Sequence, residues 1–198
     1  MNYDECMILW KEFEGQTASE EAKELYNMVI SSLKGDVVEV GSATGGTTIV
    51  LIGAAENVGK NVYSIDPYPE ELENKALYYE KGLMNRMKEA FQHNILNGKY
   101  RNVIQFNKKV KDCIDKIPKG LSVVFIDGCH ELTNAVDEFN LLYPLLAEGG
   151  YIYFHDTTWK EGQESFSAEG GLSNLRNKDF SKFFSEIERI GSMLRGRK

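Results

Sequence analysis

The chain has 198 residues, enough for one α/β domain with a sizeable core and too few for two of comfortable size. Hydrophobic residues make up 42 % and charged residues 27 %, and the net charge of −7 argues against nucleic acid and anionic membranes as partners. No window approaches the roughly 18 apolar residues of a membrane span, the acidic start Met1-Asn2-Tyr3-Asp4-Glu5 lacks a signal-peptide pattern, and the three cysteines are too scattered for a disulfide framework, so a cytoplasmic location is expected.

Residues 1–14 read as a first helix with Met7, Leu9, Trp10 and Phe13 on its apolar side. A capping box at Thr17-Ala18-Ser19-Glu20 predicts a second helix to about Ser32, with Leu25, Met28, Val29 and Leu33 facing the core. Together, residues 1–34 form a helical cap before a core of residues 35–198.

Val37-Val38-Glu39-Val40 is a short apolar run with the β-branched residues of a buried strand. It stops at Gly41, a turn follows to Gly46, and Thr47 begins a helix to about Glu56. Strand, glycine turn and helix form a cradle: glycines let a ligand approach the backbone, and the helix start offers free N–H groups. The spacing Gly41-x-Ala43-x-x-Gly46 is one Ala away from a dinucleotide fingerprint. Glu39, however, would repel a pyrophosphate and attract an ammonium or a sulfonium. Strand two, 61–66, ends in Asp66, placed to accept both hydroxyls of a ribose. Adenosine joined to a cationic amino acid is S-adenosylmethionine (SAM).

On these residues the chain resembles the Rossmann-like (class I) SAM-dependent methyltransferases, in their small-molecule and sugar O-methyltransferase branch. Their acid-x-Gly-x-Gly-x-Gly motif appears here as Glu39-x-Gly41-x-Ala43-x-Gly45, with Ala43 in place of the middle glycine. The resemblance implies a doubly wound, mostly parallel seven-stranded α/β sheet with N-terminal helices and a C-terminal antiparallel hairpin. It also implies cofactor contacts from Glu39, Gly41, Ser42, Ala43, Gly45, Thr47 and Asp66, and N-terminal helices that cap the cofactor or build a homodimer.

Downstream, Pro67 and Pro69 forbid helix around Tyr68, which either stacks on the adenine or simply packs. Residues 70–97 are helical in pattern, interrupted near Gly82 and ended by Asn97-Gly98. Strand three is 102–106. The loop after it has Lys108 and Lys109 where the family carries an Asp or Ser near the adenine amino group, so that contact is expected from the backbone of Lys109 and Val110. A short helix spans 111–117. Strand four is 121–127, a helix runs from about 133 to 146, Glu148-Gly149-Gly150 reads as a tight turn, and strand five is 151–154. Residues 162–171 read as a loop and 173–184 as a last helix. The period-two pattern of 186–190 and 193–198 around Gly191-Ser192 predicts a hairpin, with one continuous helix from 173 as the alternative.

Ligands of an open parallel sheet bind beyond the carboxyl ends of its strands. Glu39, Asp66, Asp127, His130, His155 and Asp156 all fall on that rim, which suggests a metal or proton transfer. Resemblance to magnesium-binding relatives implies Mg²⁺ ligands at Asp127 and Asp156, with Thr157 where catechol O-methyltransferases have an amide ligand. Asp127 also stands beside the cofactor, and His130 or His155 serves as the base. Asp127 could equally cap the helix that follows it, and His155 could be a packed strand-end residue. The expected activity is methyl transfer to a hydroxyl of a small molecule, a sugar or glycosylated metabolite. The rival readings are an NAD-dependent oxidoreductase and a non-catalytic SAM- or nucleoside-binding module.

Overall fold

The structure is a computed structural model, and it describes residues 1–68, 82–97, 99–128, 132–157 and 180–198. Its elements are α1 (Tyr3–Glu12), α2 (Ser19–Ser31), β1 (Val37–Val40), α3 (Gly46–Asn57), β2 (Val62–Ile65), α4 (Leu83–Asn94), β3 (Val103–Phe106), β4 (Leu121–Ile126), α5 (Leu132–Leu142), β5 (Leu146–Phe154), β6 (Glu186–Ile190) and β7 (Met193–Arg197). All seven strands form one sheet in the order β3-β2-β1-β4-β5-β7-β6. The pairs from β3 to β5 are parallel, while β7 runs antiparallel to both β5 and β6. The expected doubly wound sheet with its closing hairpin is therefore present. Its order reverses between β1 and β4, and the crevice of such a sheet opens at that switch point.

The sheet is buried on both faces, so its central strands are apolar without alternation: every residue of β1 and β4 is buried. On one face α3 is sandwiched between the sheet and α1 and α2, which explains why all residues from Gly46 to Ala55 are buried. A Cβ on Gly53 would lie 2.3 Å from Cys6 Sγ, so this glycine sets how closely α1 crosses α3. On the other face α5 packs on β4 and β5 through Ala135, Phe139 and Leu142.

Several local expectations shift. Ala18, which has no side chain to cap with, precedes α2, and its N–H is taken by Glu21 Oε2 at 2.8 Å in place of a Thr17 capping box. Leu33 lies beyond the helix and is 48 % exposed, so it is no part of the core face. Residues 111–117 form two 3₁₀ turns, Val110–Asp112 and Ile114–Lys116, because the segment before Pro118 is too short to propagate an α-helix. Glu148-Gly149-Gly150 lies inside β5. Leu121 pairs with Leu146 but Val123 pairs with Tyr151, so the extra residues bulge out, with Gly149 at φ +80°. The helix read at 70–81 and most of that at 173–184 fall outside the described residues; 180–183 form a 3₁₀ turn.

Candidate functional site

The turn after β1 is held from three sides. Gly41 lies at φ +85° and Gly45 at +97°, both in the left-handed region. A Cβ on Gly41 would sit 2.1 Å from the carbonyl oxygen of Asp127, so β1 and β4 come together here with no room for a side chain. Ala43, replacing the family's glycine, adopts φ +45°, a conformation that a glycine would take without strain. From below, Asp66 Oδ2 accepts the N–H groups of Ser42 and Ala43 at 2.9 and 3.1 Å, and its Oδ1 accepts that of Tyr68 at 3.0 Å. Burial raises the Asp66 pKa above the usual carboxylate range, against the pull of those three amides. Asp66 therefore shapes the turn from the end of β2. From outside, the link between α1 and α2 closes over the turn. Thr44 donates to the Phe13 carbonyl, Gly46 packs on Gly15, and Thr17 bridges Trp10 Nε1 and Thr47.

Tyr68 takes the packed alternative. It is buried against Phe91, and its hydroxyl donates to the Ala43 carbonyl at 2.8 Å. Val110 is likewise buried in the second core cluster, whereas Lys109 precedes a 3₁₀ turn with its side chain exposed.

Glu39 is fully buried, and its Oε2 accepts from Thr48 Oγ1 at 2.6 Å, while Oε1 has no partner among the described residues. Burial, offset by bonds from Thr48 and Ser42 and reinforced by Asp127 and Asp66, pushes its pKa up to about 8. Glu39 thus holds its proton well above the usual carboxylate range in the bare chain. An unfolded Glu39 ionises near 4.5, whereas the folded one holds its proton to about 8. The folded state therefore binds the extra proton in that window, and stability declines as pH rises from about 4.5 to 8. Glu39→Gln should flatten that decline, which thermal unfolding between pH 5 and 8.5 will read; wild-type and variant curves that stay parallel would exclude a buried proton at Glu39.

The second cluster lies across the crevice. Asp127 follows β4, and His155 and Asp156 follow β5. His155 is 5 % exposed. Its Nδ1 lies 2.9 Å from Asp127 Oδ1 and 3.4 Å from Asp156 Oδ2, and its Nε2 lies 3.0 Å from Glu21 Oε2. Burial would lower the histidine pKa, but Asp127, Asp156 and Glu21 outweigh it and push it up to about 12. The three carboxylates around His155 favour its protonated form in the bare chain. One donor atom from each of Asp127, His155 and Asp156 falls within 4.8 Å of the others, a grouping able to hold a metal ion.

Thr157 has a different place from the one expected. Its hydroxyl donates to the Ser192 carbonyl at 2.6 Å and accepts from Arg189. It fastens the β6–β7 turn, and the third donor beside Asp127 and Asp156 is His155. Glu21 was missed in the sequence, where it reads as an ordinary first-turn acid of a helix. Among the described residues it accepts four hydrogen bonds, from Ala18 N, Ser192 N, Ser192 Oγ and His155 Nε2. Burial opposes its ionisation, yet these donors hold its pKa down to about 2. Glu138 on α5 was missed too. Its Oε2 is buried without a partner among the described residues, its Oε1 lies 3.5 Å from where a Cβ on Gly128 would be, and burial with Asp137 and Asp66 nearby raises its pKa to about 8. His130 and Cys129 lie outside the described residues.

Residues 38–157, more than half of the chain, match the family model of a methyltransferase domain. An uncharacterised protein of Acanthamoeba polyphaga mimivirus is 27 % identical over 121 residues, 60 % of this chain and 50 % of the relative, so the chain spans about half the length of that curated relative. Among solved structures, the O-methyltransferase NovP superposes with a TM-score of 0.67 at 18 % identity, over 91 % of this chain and 80 % of its own. The O-methyltransferase TomG from Streptomyces achromogenes, determined in complex with SAM, gives 0.61 at 14 % identity, over 99 % and 89 %. At these identities the superpositions establish the shared fold.

Proposed function

Because this chain belongs to the family of methyltransferase domains, we propose that it transfers a methyl group from SAM to a hydroxyl of a small molecule, with a sugar or glycosylated metabolite as the acceptor class the resemblance implies. The observation that carries this reading is the crevice between β1 and β4. A glycine turn with no space for a side chain faces an Asp–His–Asp cluster on its other wall. TomG, of the same fold, was determined with SAM bound.

In this reading SAM, when bound, supplies an electrophilic methyl on a sulfonium. The chain's own residues do the rest by positioning. Gly41 and Gly45 let the cofactor approach the backbone, and Asp66 offers its carboxylate to the ribose. Glu39, with Oε1 unpartnered beneath the turn, ionises more readily as a cation approaches. His130, three residues past Asp127, accepts the acceptor's proton. The buried Nδ1 of His155 between two carboxylates fits a divalent ion, and such an ion, expected as Mg²⁺ from the resemblance, would acidify the acceptor hydroxyl. Without an ion, the proton on His155 neutralises the same carboxylates.

We place the protein in the cytoplasm, acting without nucleic acid or membrane. Among the described residues no helix is long and apolar enough to cross a bilayer. Self-association through α1 and α2 is part of the same proposal, with Ile8 and Ile30 exposed there.

A thermal-shift series with SAM, S-adenosylhomocysteine and NADH tests the cofactor. A ligand at about 100 times its Kd stabilises the native state by about 2.7 kcal/mol. SAM and its product should raise the melting temperature and NADH should not; the reverse would make the chain a dinucleotide-dependent oxidoreductase. Asp127→Asn should then lower turnover by about 10²-fold. SAM binding with no methyl transferred to any of a broad panel of hydroxylated acceptors would favour a non-catalytic binding module.

A further inference from the structure

Resting on the reading of Asp127, His155 and Asp156 as a cation site, we infer that the site selects a first-row transition ion, Mn²⁺, Co²⁺ or Zn²⁺, over Mg²⁺, and that Glu21 is the residue that makes it do so. Mg²⁺ demands oxygen ligands in a near-ideal octahedron, and two carboxylates with waters would satisfy it. The third donor here is an imidazole nitrogen. Imidazole binds transition ions far better than it binds Mg²⁺, so its presence changes which ion the pair of carboxylates keeps.

Three observations make Nδ1 of His155 a ligand atom rather than a packed ring nitrogen. It is buried and has no aligned hydrogen-bond partner among the described residues, although Asp127 Oδ1 and Asp156 Oδ2 lie 2.9 and 3.4 Å away. The ring cannot turn it elsewhere, because Nε2 is fixed on Glu21 at 3.0 Å and the ring packs edge-on against Phe125 at 5.9 Å. Glu21 is itself locked, its Oε1 held by Ser192 N and Oγ at 2.6 and 2.8 Å and its Oε2 by Ala18 N at 2.8 Å. A carboxylate that takes the far ring N–H of a ligating histidine fixes the tautomer and raises the ligand's basicity.

The N-terminal cap thereby enters the chemistry. Glu21 lies 134 residues from His155 in the chain and reaches the metal only through it. It is a positioning residue.

The experiment is a titration of the full chain, labelled with ¹⁵N-histidine, with Zn²⁺ and separately with Mg²⁺, alongside calorimetric titrations with Mn²⁺, Co²⁺, Zn²⁺ and Mg²⁺. Only three histidines need assignment, His93, His130 and His155. Zn²⁺ should move the His155 Nδ1 resonance to that of a metal-bound nitrogen while Nε2 keeps its proton, and the transition ions should bind at least 100-fold more tightly than Mg²⁺. Glu21→Gln should weaken Zn²⁺ by about 10- to 100-fold, the usual loss for an outer-shell partner. His155→Asp should bring Mg²⁺ affinity up to that of Zn²⁺ if it folds, and His155→Asn should simply lose the preference. Metal binding with Nδ1 unshifted, or with Mg²⁺ equal to Zn²⁺, overturns this inference and leaves the cation site standing. No binding of any divalent ion overturns both. SAM affinity, measured without metal, reports on the methyltransferase reading separately.

Discussion

Glu21→Ala is expected to destabilise the protein by about 3–5 kcal/mol, the usual result of stripping one partner from a buried ion pair. The variant leaves two N–H groups, of Ala18 and Ser192, and one hydroxyl without their acceptor, and it strands the His155 proton against Asp127 and Asp156 alone. For a chain of this length that loss corresponds to a fall in melting temperature on the order of 10 °C. The pH dependence gives the prediction a second arm. Glu21 ionises at about 2 in the folded state against an ordinary 4.5, so its contribution is full above about 4.5 and disappears as pH falls toward 2. His155, raised from 6.5 to about 12, contributes fully below about 6.5 and progressively less as pH rises toward 12. Wild type and variant should therefore differ most between about pH 4.5 and 6.5 and converge toward pH 2.5. A gap in melting temperature that persists unchanged at pH 2.5 would mean that Glu21 acts by packing and not by charge.

That pair also marks where sequence reading stops. Strands β1 and β4 were legible as largely apolar runs rich in β-branched residues, and the hairpin because 186–190 and 193–198 alternate around a Gly-Ser turn. The glycine turn was legible for the same local reason: φ above +80° at Gly41 and Gly45 leaves its mark in the sequence as glycine. So too were Asp127 and Asp156, since they fall one or two residues past strands whose ends can be read. What sequence could not supply was the direction of each side chain once the strands ended. Thr157 and His155 are two residues apart, yet one faces Ser192 and the other faces Asp127, because Asp156 between them adopts φ +55° and breaks the strand alternation. Beyond its capping contact with Ala18, Glu21 left no local signal, since its other partners lie on a distant strand end and a hairpin turn.

The β5 boundary was misplaced by the opposite error. Glu148-Gly149-Gly150 has the residues of a turn, and one glycine does take a positive φ, but the backbone stays in the sheet: Gly149 N–H donates to the Lys198 carbonyl, and Lys198 N–H to that of Gly150, each bond closing on the edge of β7. Turn chemistry inside a sheet gives a bulge when a neighbouring strand is present to take the hydrogen bonds. The presence of that neighbour is a tertiary fact.

Gly41→Ala should abolish SAM binding and lower stability together, and the two losses have one cause. The residue sits at φ +85°, which costs an alanine on the order of 1 kcal/mol. Strain alone would be tolerable. The added Cβ, however, would fall 2.1 Å from the Asp127 carbonyl oxygen and 2.8 Å from Gly128 Cα, all backbone atoms. Neither side can yield cheaply. Gly41 N–H is bonded to the Ile65 carbonyl at 2.9 Å and Asp127 N–H to that of Val40 at 2.8 Å, so relief requires prising β1 from β4 at the crevice itself. Such a movement carries Asp127 away from His155 and the glycine turn away from Asp66. Gly59→Ala is the matched control: its φ is +66°, but a Cβ there meets nothing within 4 Å. It should cost only the conformational term, about 1 kcal/mol, and leave SAM affinity intact. Calorimetry with SAM and thermal unfolding of the two variants separate strain from collision. If Gly41→Ala behaves like Gly59→Ala in both, then β1 and β4 are not pressed together at the turn, and the crevice is wider than the one from which the cofactor site was built.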